Sequence, residues 1–310
     1  MKKDIIDLQE KLQALLLIQH DNYTQGKVAN YIPVLANVKP DLVGISVATL
    51  DGKVVGAGEY QRAFSIQSIS KVFGLVMAMN RVGDSLWQRV RMEPSGQPFN
   101  SIIQLEWEKG IPRNPVINAG AILVSDVLIS HFSASKLAFI TFVRKLAGND
   151  NIRVDNDVYQ SELTHGNGNA ALAYLMKSFG NIEAEIPEVL SHYFTQCSIA
   201  MSCEQLATSL LFLANKGVDP RTKMAICTAR DAHRVNAILS TSGMYDQSGE
   251  FAFSVGLPAK SGVGGGVVAI VPGYGVICTW SPPLNSFGNS VVGMDLVAGV
   301  AEELGLSIYH

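Results

Sequence analysis

Val43-Gly44-Ile45-Ser46-Val47-Ala48-Thr49-Leu50, then Asp51-Gly52, then Lys53-Val54-Val55-Gly56-Ala57 is the stretch whose reading sets the architecture. A β-branched run, an Asp-Gly pair and a second short apolar run make a β-hairpin signal, because both turn residues tolerate a positive φ. The same language returns near the other end of the chain. Val267-Val268-Ala269-Ile270-Val271 and Gly275-Val276-Ile277-Cys278-Thr279-Trp280 are joined through Pro272-Gly273-Tyr274. Between these hairpins the apolar spacing turns helical over residues 69–80, 120–130, 135–146, 170–178 and 203–214, and an amphipathic helix opens the chain over 4–20. A closing helix is expected over 294–304, with Gly305 as its stop signal. Strands at both ends and helices between imply an α/β (α+β) chain, with an antiparallel sheet built from N- and C-terminal strands and an inserted helical region. The expected division is one domain over 1–310, with a sheet subdomain over about 1–65 and 220–310 and a helical subdomain over about 66–219. The border between two such units is a favoured place for a ligand cleft.

With 310 residues, 47% apolar and 16% charged, the chain has enough apolar side chain for a sizeable core, which argues against disorder. A formal net charge of -3 gives no electrostatic reason to bind nucleic acid or an anionic membrane. Leu15-Leu16-Leu17-Ile18 is too short for a membrane span or a signal-peptide core, and Asp4, Asp7 and Glu10 break up the segment after Met1-Lys2-Lys3. Cys197, Cys203, Cys227 and Cys278 show no C-x-x-C spacing, and His20, His131, His165, His192, His233 and His310 are scattered, so no metal cluster is expected. A soluble, cytoplasmic protein in a reducing compartment is the plain reading.

Two short motifs carry the chemistry. Ser68-Ile69-Ser70-Lys71 has the form S-x-x-K, a serine and a lysine one helical turn apart on one face. Lys260-Ser261-Gly262 has the form K-[S/T]-G. Together they describe an acyl-transfer site in which a lysine activates a serine hydroxyl and a strand lysine completes the pocket. S-x-x-K alone is a weak signal, because Ser133-Ala134-Ser135-Lys136 matches it too. Ser133 precedes the apolar run Leu137-Ala138-Phe139-Ile140 and reads as an N-cap. Ser68 instead opens the helix containing Val72-Phe73-Gly74-Leu75, where a free backbone N–H and the helix dipole favour a developing oxyanion. Lys71, flanked by Ile69, Val72 and Phe73, is expected to be desolvated, which favours its neutral form. The stretch Lys260-Ser261-Gly262-Val263-Gly264-Gly265-Gly266 lacks both phosphate-loop patterns and reads as an edge strand whose glycines allow close approach to the backbone.

Beyond these motifs, a set of blocks in fixed order resembles the serine-dependent glutaminases. They are Asn30-Tyr31-Ile32-Pro33, Gln67-Ser68-Ile69-Ser70-Lys71, Glu93-Pro94-Ser95-Gly96-Gln97-Pro98-Phe99-Asn100 and Asn114-Pro115-Val116-Ile117-Asn118-Ala119-Gly120. They continue with Gln160-Ser161-Glu162, Tyr193-Phe194-Thr195-Gln196-Cys197-Ser198, Gly243-Met244-Tyr245-Asp246, Gly256-Leu257-Pro258-Ala259-Lys260-Ser261-Gly262 and Trp280-Ser281-Pro282-Pro283. The resemblance implies a fold like the serine β-lactamases and transpeptidases, and hydrolysis of L-glutamine to L-glutamate and ammonia without metal or organic cofactor. It implies Ser68 as nucleophile, Lys71 as its activating partner, Tyr245 as a second proton-transfer group and Lys260 as part of the same catalytic set. The amides of Ser68 and Val263 are implied to form the oxyanion hole. Implied substrate contacts are Tyr31, Gln67, Ser68, Asn118, Glu162, Asn169, Tyr193, Tyr245 and Val263. Such groups suit a small zwitterion: a carboxylate pairs with the α-ammonium, while amides and phenols donate to the α-carboxylate. The resemblance also implies a homo-oligomer, a homotetramer or dimer. The competing reading, a β-lactamase or penicillin-binding acyl-serine hydrolase, needs a middle S-x-N or Y-x-N motif that this chain does not contain.

Overall fold

The two hairpins join into one sheet. In this computed structural model β1 (Gly44–Thr49) and β2 (Val54–Gly58) form the first, and β3 (Ala259–Ser261), β4 (Gly266–Val271) and β5 (Gly275–Trp280) come after a long insertion. The five strands lie in the order β2-β1-β5-β4-β3, antiparallel throughout. The seam between the two ends of the chain is β1 on β5, from Gly44 opposite Trp280 to Thr49 opposite Gly275. The structure describes residues 2–98 and 100–309; Met1, Phe99 and His310 lie outside the described residues, as do the side chains at 2–6 and 19–21.

The first turn departs from the expected two-residue form. Only Gly52 takes a positive φ (87°), and its amide donates to the Thr49 carbonyl at 3.0 Å, closing a longer loop. Asp51 serves it differently, through an ion pair with Lys53 at 2.8 Å. In the second hairpin the left-handed position falls on Gly273 (φ 80°).

The principal helices are α1 (Lys2–Gln19), α2 (Ser70–Val82), α3 (Asn118–His131), α4 (Ser135–Ala147), α5 (Asn156–His165), α6 (Asn167–Ser178), α7 (Ile186–Cys197), α8 (Cys203–Ser209), α9 (Ala229–Ser242) and α10 (Val291–Glu303). Strand β4 is apolar throughout and β5 is broken only by Thr279, which is buried and donates to the Gly293 carbonyl at 2.9 Å, because both faces of the sheet are covered. Val268, Ile270, Val276, Cys278 and Trp280 share a core with α2, α3, α4 and α7, whereas Val267, Ala269, Val271 and Ile277 share a second core with α1 and α10. Each such Val or Ile contributes about 1.5–3 kcal/mol by leaving water.

Helices α5, α7 and α9 lie outside the expected helical stretches, although α7 buries Ile186, Val189, Tyr193 and Cys197 and α9 buries Ala232, Val235 and Leu239 at helical spacing. They start on capping chemistry: Asp155 accepts from the amides of Asp157 and Val158, Pro187 occupies the first turn of α7, and Thr228 caps α9. The stretch expected as one helix over 203–214 divides at Leu210 into α8 and a short turn, Leu211–Ala214. Ser133 does not cap α4; Ala134 holds that position without a side-chain bond. Among the described residues no single helix is long and apolar enough to cross a membrane.

Candidate active site

Edge strand β3 carries Lys260-Ser261-Gly262 directly against the turn that bears Ser68. Ser68 lies in a 3-10 turn, Gln67–Ile69, that runs into α2. A Cβ on Gly262 would stand 2.6 Å from the Ile66 carbonyl oxygen and 3.5 Å from the Ser68 amide nitrogen. The close approach expected of these glycines is therefore first an approach by the chain's own turn that bears Ser68. Trp280 fixes the glycine loop from behind: its indole donates to the Gly264 carbonyl at 2.9 Å, and its ring stacks on Phe64 at 4.9 Å. The Val263 amide makes no backbone hydrogen bond among the described residues.

Gln67 sits at φ 48°, a region that costs a non-glycine residue about 1–2 kcal/mol. Its side chain holds it there. Gln67 Nε2 donates to Ser65 Oγ at 3.0 Å, and its Oε1 accepts from Tyr31 Oη at 3.1 Å. The same phenol donates to Glu162 Oε1 at 2.6 Å. Burial pushes the Glu162 carboxyl up, and hydrogen bonds from Tyr31 and Gln67 and the Lys71 charge pull it back.

One turn beyond Ser68, Lys71 is fully enclosed, and its Nζ donates to Asn118 Oδ1 at 2.7 Å and to the Val116 carbonyl at 3.3 Å. Burial pushes its amine down to about 8, with Cys197 and Glu162 acting the other way. Asn114 sets the start of α3 by accepting from the amides of Val116 at 3.1 Å and Ile117 at 3.0 Å. Asn118 then links three helices. It accepts from Tyr193 Oη at 3.3 Å and donates from Nδ2 to Asn169 Oδ1 at 3.0 Å.

Tyr245, at φ 54°, meets the Ser68 hydroxyl; burial raises its phenol above the ordinary value, and the Ser68 hydrogen bond pulls it down. Its backbone is pinned by Ser248 Oγ, which donates to the Tyr245 carbonyl at 2.8 Å. Lys260 Nζ lies 4.5 Å from the Tyr245 ring centroid and donates to the carbonyls of Ser261 at 2.6 Å and Gly243 at 3.1 Å. Burial, then the charge of Lys71, holds the Lys260 amine well below its usual value. Both donations are ones a neutral amine can make.

A cavity of about 270 Å³ opens over these groups, lined by Tyr31, Gln67, Ser68, Asn118, Glu162, Asn169, Tyr193 and Val263 together with Asn100, His165, Gly166, Gly168 and Cys197. Lys71 and Lys260 stand behind the lining. Tyr245 does not line this cavity but reaches Ser68 from behind, and it borders a separate cavity of about 320 Å³. Sequence reasoning missed Asn100, His165, Gly166, Gly168 and Cys197. Two of these had a usable signal, since His165 follows Glu162 by three residues and Cys197 follows Tyr193 by four, spacings that share a helix face. Burial pushes the Cys197 thiol up to about 12, which makes it a poor nucleophile. The second S-x-x-K match is structural: Lys136 donates to Ser191 Oγ at 2.5 Å and lies 5.7 Å from the Tyr159 ring centroid. Among the described residues no group of three or more His, Cys, Asp and Glu is arranged to hold a metal ion.

Comparison with known proteins gives this geometry its context. The family model Glutaminase matches residues 26–309. The chain is 51% identical over 285 residues to a glutaminase of Pseudomonas syringae pv. tomato, covering 92% of this chain and 94% of that protein. It is 52% identical over 286 residues to a glutaminase of Aliivibrio fischeri, with the same coverage of 92% and 94%. Among solved structures, the covalent complex of a Bacillus subtilis glutaminase with 5-oxo-L-norleucine, formed by reaction with 6-diazo-5-oxo-L-norleucine, superposes with a TM-score of 0.88 at 33% identity, covering 97% of this chain and 99% of that one. This protein is an amidohydrolase-type enzyme with the β-lactamase-like fold of its structural neighbours, and the chain belongs to the glutaminase family.

Proposed function

We propose that this chain hydrolyses L-glutamine to L-glutamate and ammonia with Ser68 as nucleophile. The observation that carries this reading is the position of the Ser68 hydroxyl. It lies at a helix entry in the lining of the same cavity as Glu162, with Tyr245 hydrogen-bonded to it from outside that lining. The covalent complex formed by a relative with a glutamine-like diazo ketone supports a nucleophile acting on this substrate class.

In the proposed reaction the neutral Lys71 amine receives the Ser68 proton, because burial favours its uncharged form. Ser68 Oγ attacks the side-chain carboxamide carbon. The oxyanion is held by the amides of Ser68 and Val263, each worth about 3 kcal/mol of barrier. Tyr245 keeps its proton and is therefore suited to protonate the departing ammonia, with Lys260 beneath its ring fixing its position. Lys71 then passes the proton it took from Ser68 to the Tyr245 phenolate, which frees its amine to take the proton of the water that attacks the γ-glutamyl ester and to return it to Ser68 Oγ as the ester bond breaks. Glu162 with Tyr31 receives the α-ammonium, and Asn118, Asn169 and Tyr193 receive the α-carboxylate, with Gln67 and Val263 bounding the amide end.

Four free, buried cysteines support a reducing, cytoplasmic setting. Exposed apolar side chains such as Trp107 and Ile103 support a homo-oligomer, a tetramer or dimer, which light scattering would read. Two cores meeting at the sheet support a sheet subdomain over about 1–65 and 220–310 and a helical subdomain over about 66–219.

Ammonia release from glutamine tests the reading. Ser68→Ala abolishes turnover while Ser133→Ala keeps it within about twofold. Retained turnover in Ser68→Ala overturns the assignment.

A further inference from the structure

Gly288 and Asn289 stand against the Tyr245 turn, and neither lines the cavity over Ser68. A Cβ on Gly288 would lie 3.6 Å from Tyr245 Cε2 and 3.8 Å from Val263 Cγ1, so this loop backs the Tyr245 ring. Asn289 is fully enclosed. Its Nδ2 donates to the Met244 carbonyl at 3.0 Å and to Gln247 Oε1 at 2.8 Å. One side-chain amide thus ties the residue before Tyr245 to the residue two places after it. The partners fix its orientation. Gln247 Nε2 donates to Glu250 Oε2 at 3.2 Å, which leaves Gln247 Oε1 facing Asn289, and an acceptor there calls for the donor end of the asparagine. The other end, Asn289 Oδ1, has no hydrogen-bond partner among the described residues.

The backbone around Asn289 is anchored on both sides. Asn285 Oδ1 accepts from the Asn289 backbone amide at 3.1 Å. Ser290, next in the chain, donates from Oγ to the Ser281 carbonyl at 2.6 Å and caps α10 by accepting from the Gly293 amide at 3.1 Å. For stability, by contrast, the two bonds from Asn289 Nδ2 are redundant. The Met244 carbonyl also accepts from the Gln247 amide at 3.1 Å, and Gln247 Oε1 also accepts from Asn285 Nδ2 at 2.7 Å. Deleting the Asn289 side chain therefore strands neither acceptor, and it removes a buried Oδ1 that is itself unpaired. A buried amide that stability does not need, placed across a turn whose central tyrosine sits at φ 54°, calls for another reason.

We propose that Asn289 is a positioning residue for Tyr245: its Nδ2 holds the turn from Met244 to Gln247 so that the phenol stays aimed at Ser68. The inference rests on the proposed role of Tyr245 as proton donor to the departing ammonia. Asn289 bonds to no group assigned to the substrate, so its loss displaces the donor and leaves substrate binding alone. A proton donor displaced by about half an ångström loses about tenfold in the step that it serves.

The experiment is a double-mutant cycle. It measures kcat and KM for L-glutamine in wild type, Asn289→Ala, Tyr245→Phe and the double variant, with ammonia accumulated over hours for the slow ones and urea unfolding of each. Asn289→Ala should lower kcat about tenfold, with KM within about twofold and little change in the unfolding midpoint. In the Tyr245→Phe background the same substitution should change kcat by less than about twofold, because no phenol hydroxyl remains to be misplaced. An equal tenfold loss in both backgrounds overturns the inference, as does an Asn289→Ala enzyme that loses stability but keeps wild-type kcat. Asn285→Ala, at a partly exposed position of the same loop, repeats the test if Asn289→Ala does not fold, with a smaller expected fall of about threefold that also vanishes in Tyr245→Phe. A Tyr245→Phe enzyme with wild-type kcat overturns the parent assignment of the proton donor, and the inference falls with it.

Discussion

Replacing Lys71 with methionine should abolish turnover and make the protein more stable at neutral pH. The reason lies in the burial of the amine. A fall from the usual lysine value to about 8 corresponds to about 3 kcal/mol of lost stability when the chain folds around a charged lysine at pH 7. Methionine of similar length carries no such penalty. Against this stand two hydrogen bonds, to Asn118 Oδ1 at 2.7 Å and the Val116 carbonyl at 3.3 Å, each worth about 1 kcal/mol. Asn118 Oδ1 keeps Tyr193 as a donor, so only the Val116 carbonyl is stranded. The net gain is about 1–2 kcal/mol, or roughly 2–4 °C in Tm for a chain of this size.

The sign with pH is fixed by which state holds the proton. Between about pH 8 and the unfolded lysine value near 10.4 the unfolded chain binds a proton that the folded chain does not, so this group's contribution to wild-type stability rises with pH across that window. The advantage of Lys71→Met is therefore full below pH 8, shrinks above it, reverses near about pH 9 to 9.5, and by about pH 10.5 only the lost hydrogen bonds remain. Urea unfolding of both proteins at pH 7, 8.5 and 10 reads this directly. A variant less stable than wild type at pH 7, or a stability difference that does not change between pH 7 and 10, refutes the reasoning. In the wild type the same titration predicts turnover that rises through about pH 8 as Lys71 loses its proton.

Two further substitutions probe the walls of the cavity. Tyr31→Phe removes the donor 2.6 Å from Glu162 Oε1 and should raise KM for glutamine about three- to tenfold with a smaller change in kcat. It should also move the acid limb of kcat/KM upward, because burial of Glu162 is then less opposed; an unchanged acid limb argues against that carboxylate receiving the substrate. Gly262→Ala sets a Cβ 2.6 Å from the Ile66 carbonyl and presses on the turn that carries Ser68, so kcat should fall by about tenfold or more while the unfolding midpoint moves little. Equal losses of activity and stability would mean the glycine matters only for packing.

Much of the architecture is open to a reading of the chain alone. The hairpins through Gly52 and Gly273 announce themselves because left-handed turn positions select glycine, and two-sided burial leaves β4 apolar throughout and β5 apolar but for Thr279. Lys71 is legible as a desolvated amine from Ile69, Val72 and Phe73 beside it. Helix α5 is not, since polar residues and a cap, rather than an apolar stripe, mark its start; α7 and α9 do carry stripes, at Ile186, Val189, Tyr193 and Cys197 and at Ala232, Val235 and Leu239, which apolar spacing could have found. The contact of Tyr245 with Ser68, and of Lys260 with the Tyr245 ring, depends on backbone at positive φ and on an edge strand far away in sequence. No local pattern encodes such a contact. His165 is hidden for a related reason: its relation to Glu162 is plain on a helix, but α5 itself reads only as a polar stretch.

The central claim is that Ser68 is the nucleophile, and the most direct test is to find the bond it forms. Treating the protein with 6-diazo-5-oxo-L-norleucine, digesting it and sequencing the modified peptide by mass spectrometry should place one adduct on Ser68, with glutamine protecting against it and Ser68→Ala taking up none. An adduct on Cys197 or Ser133, or undiminished labelling of Ser68→Ala, would contradict the account.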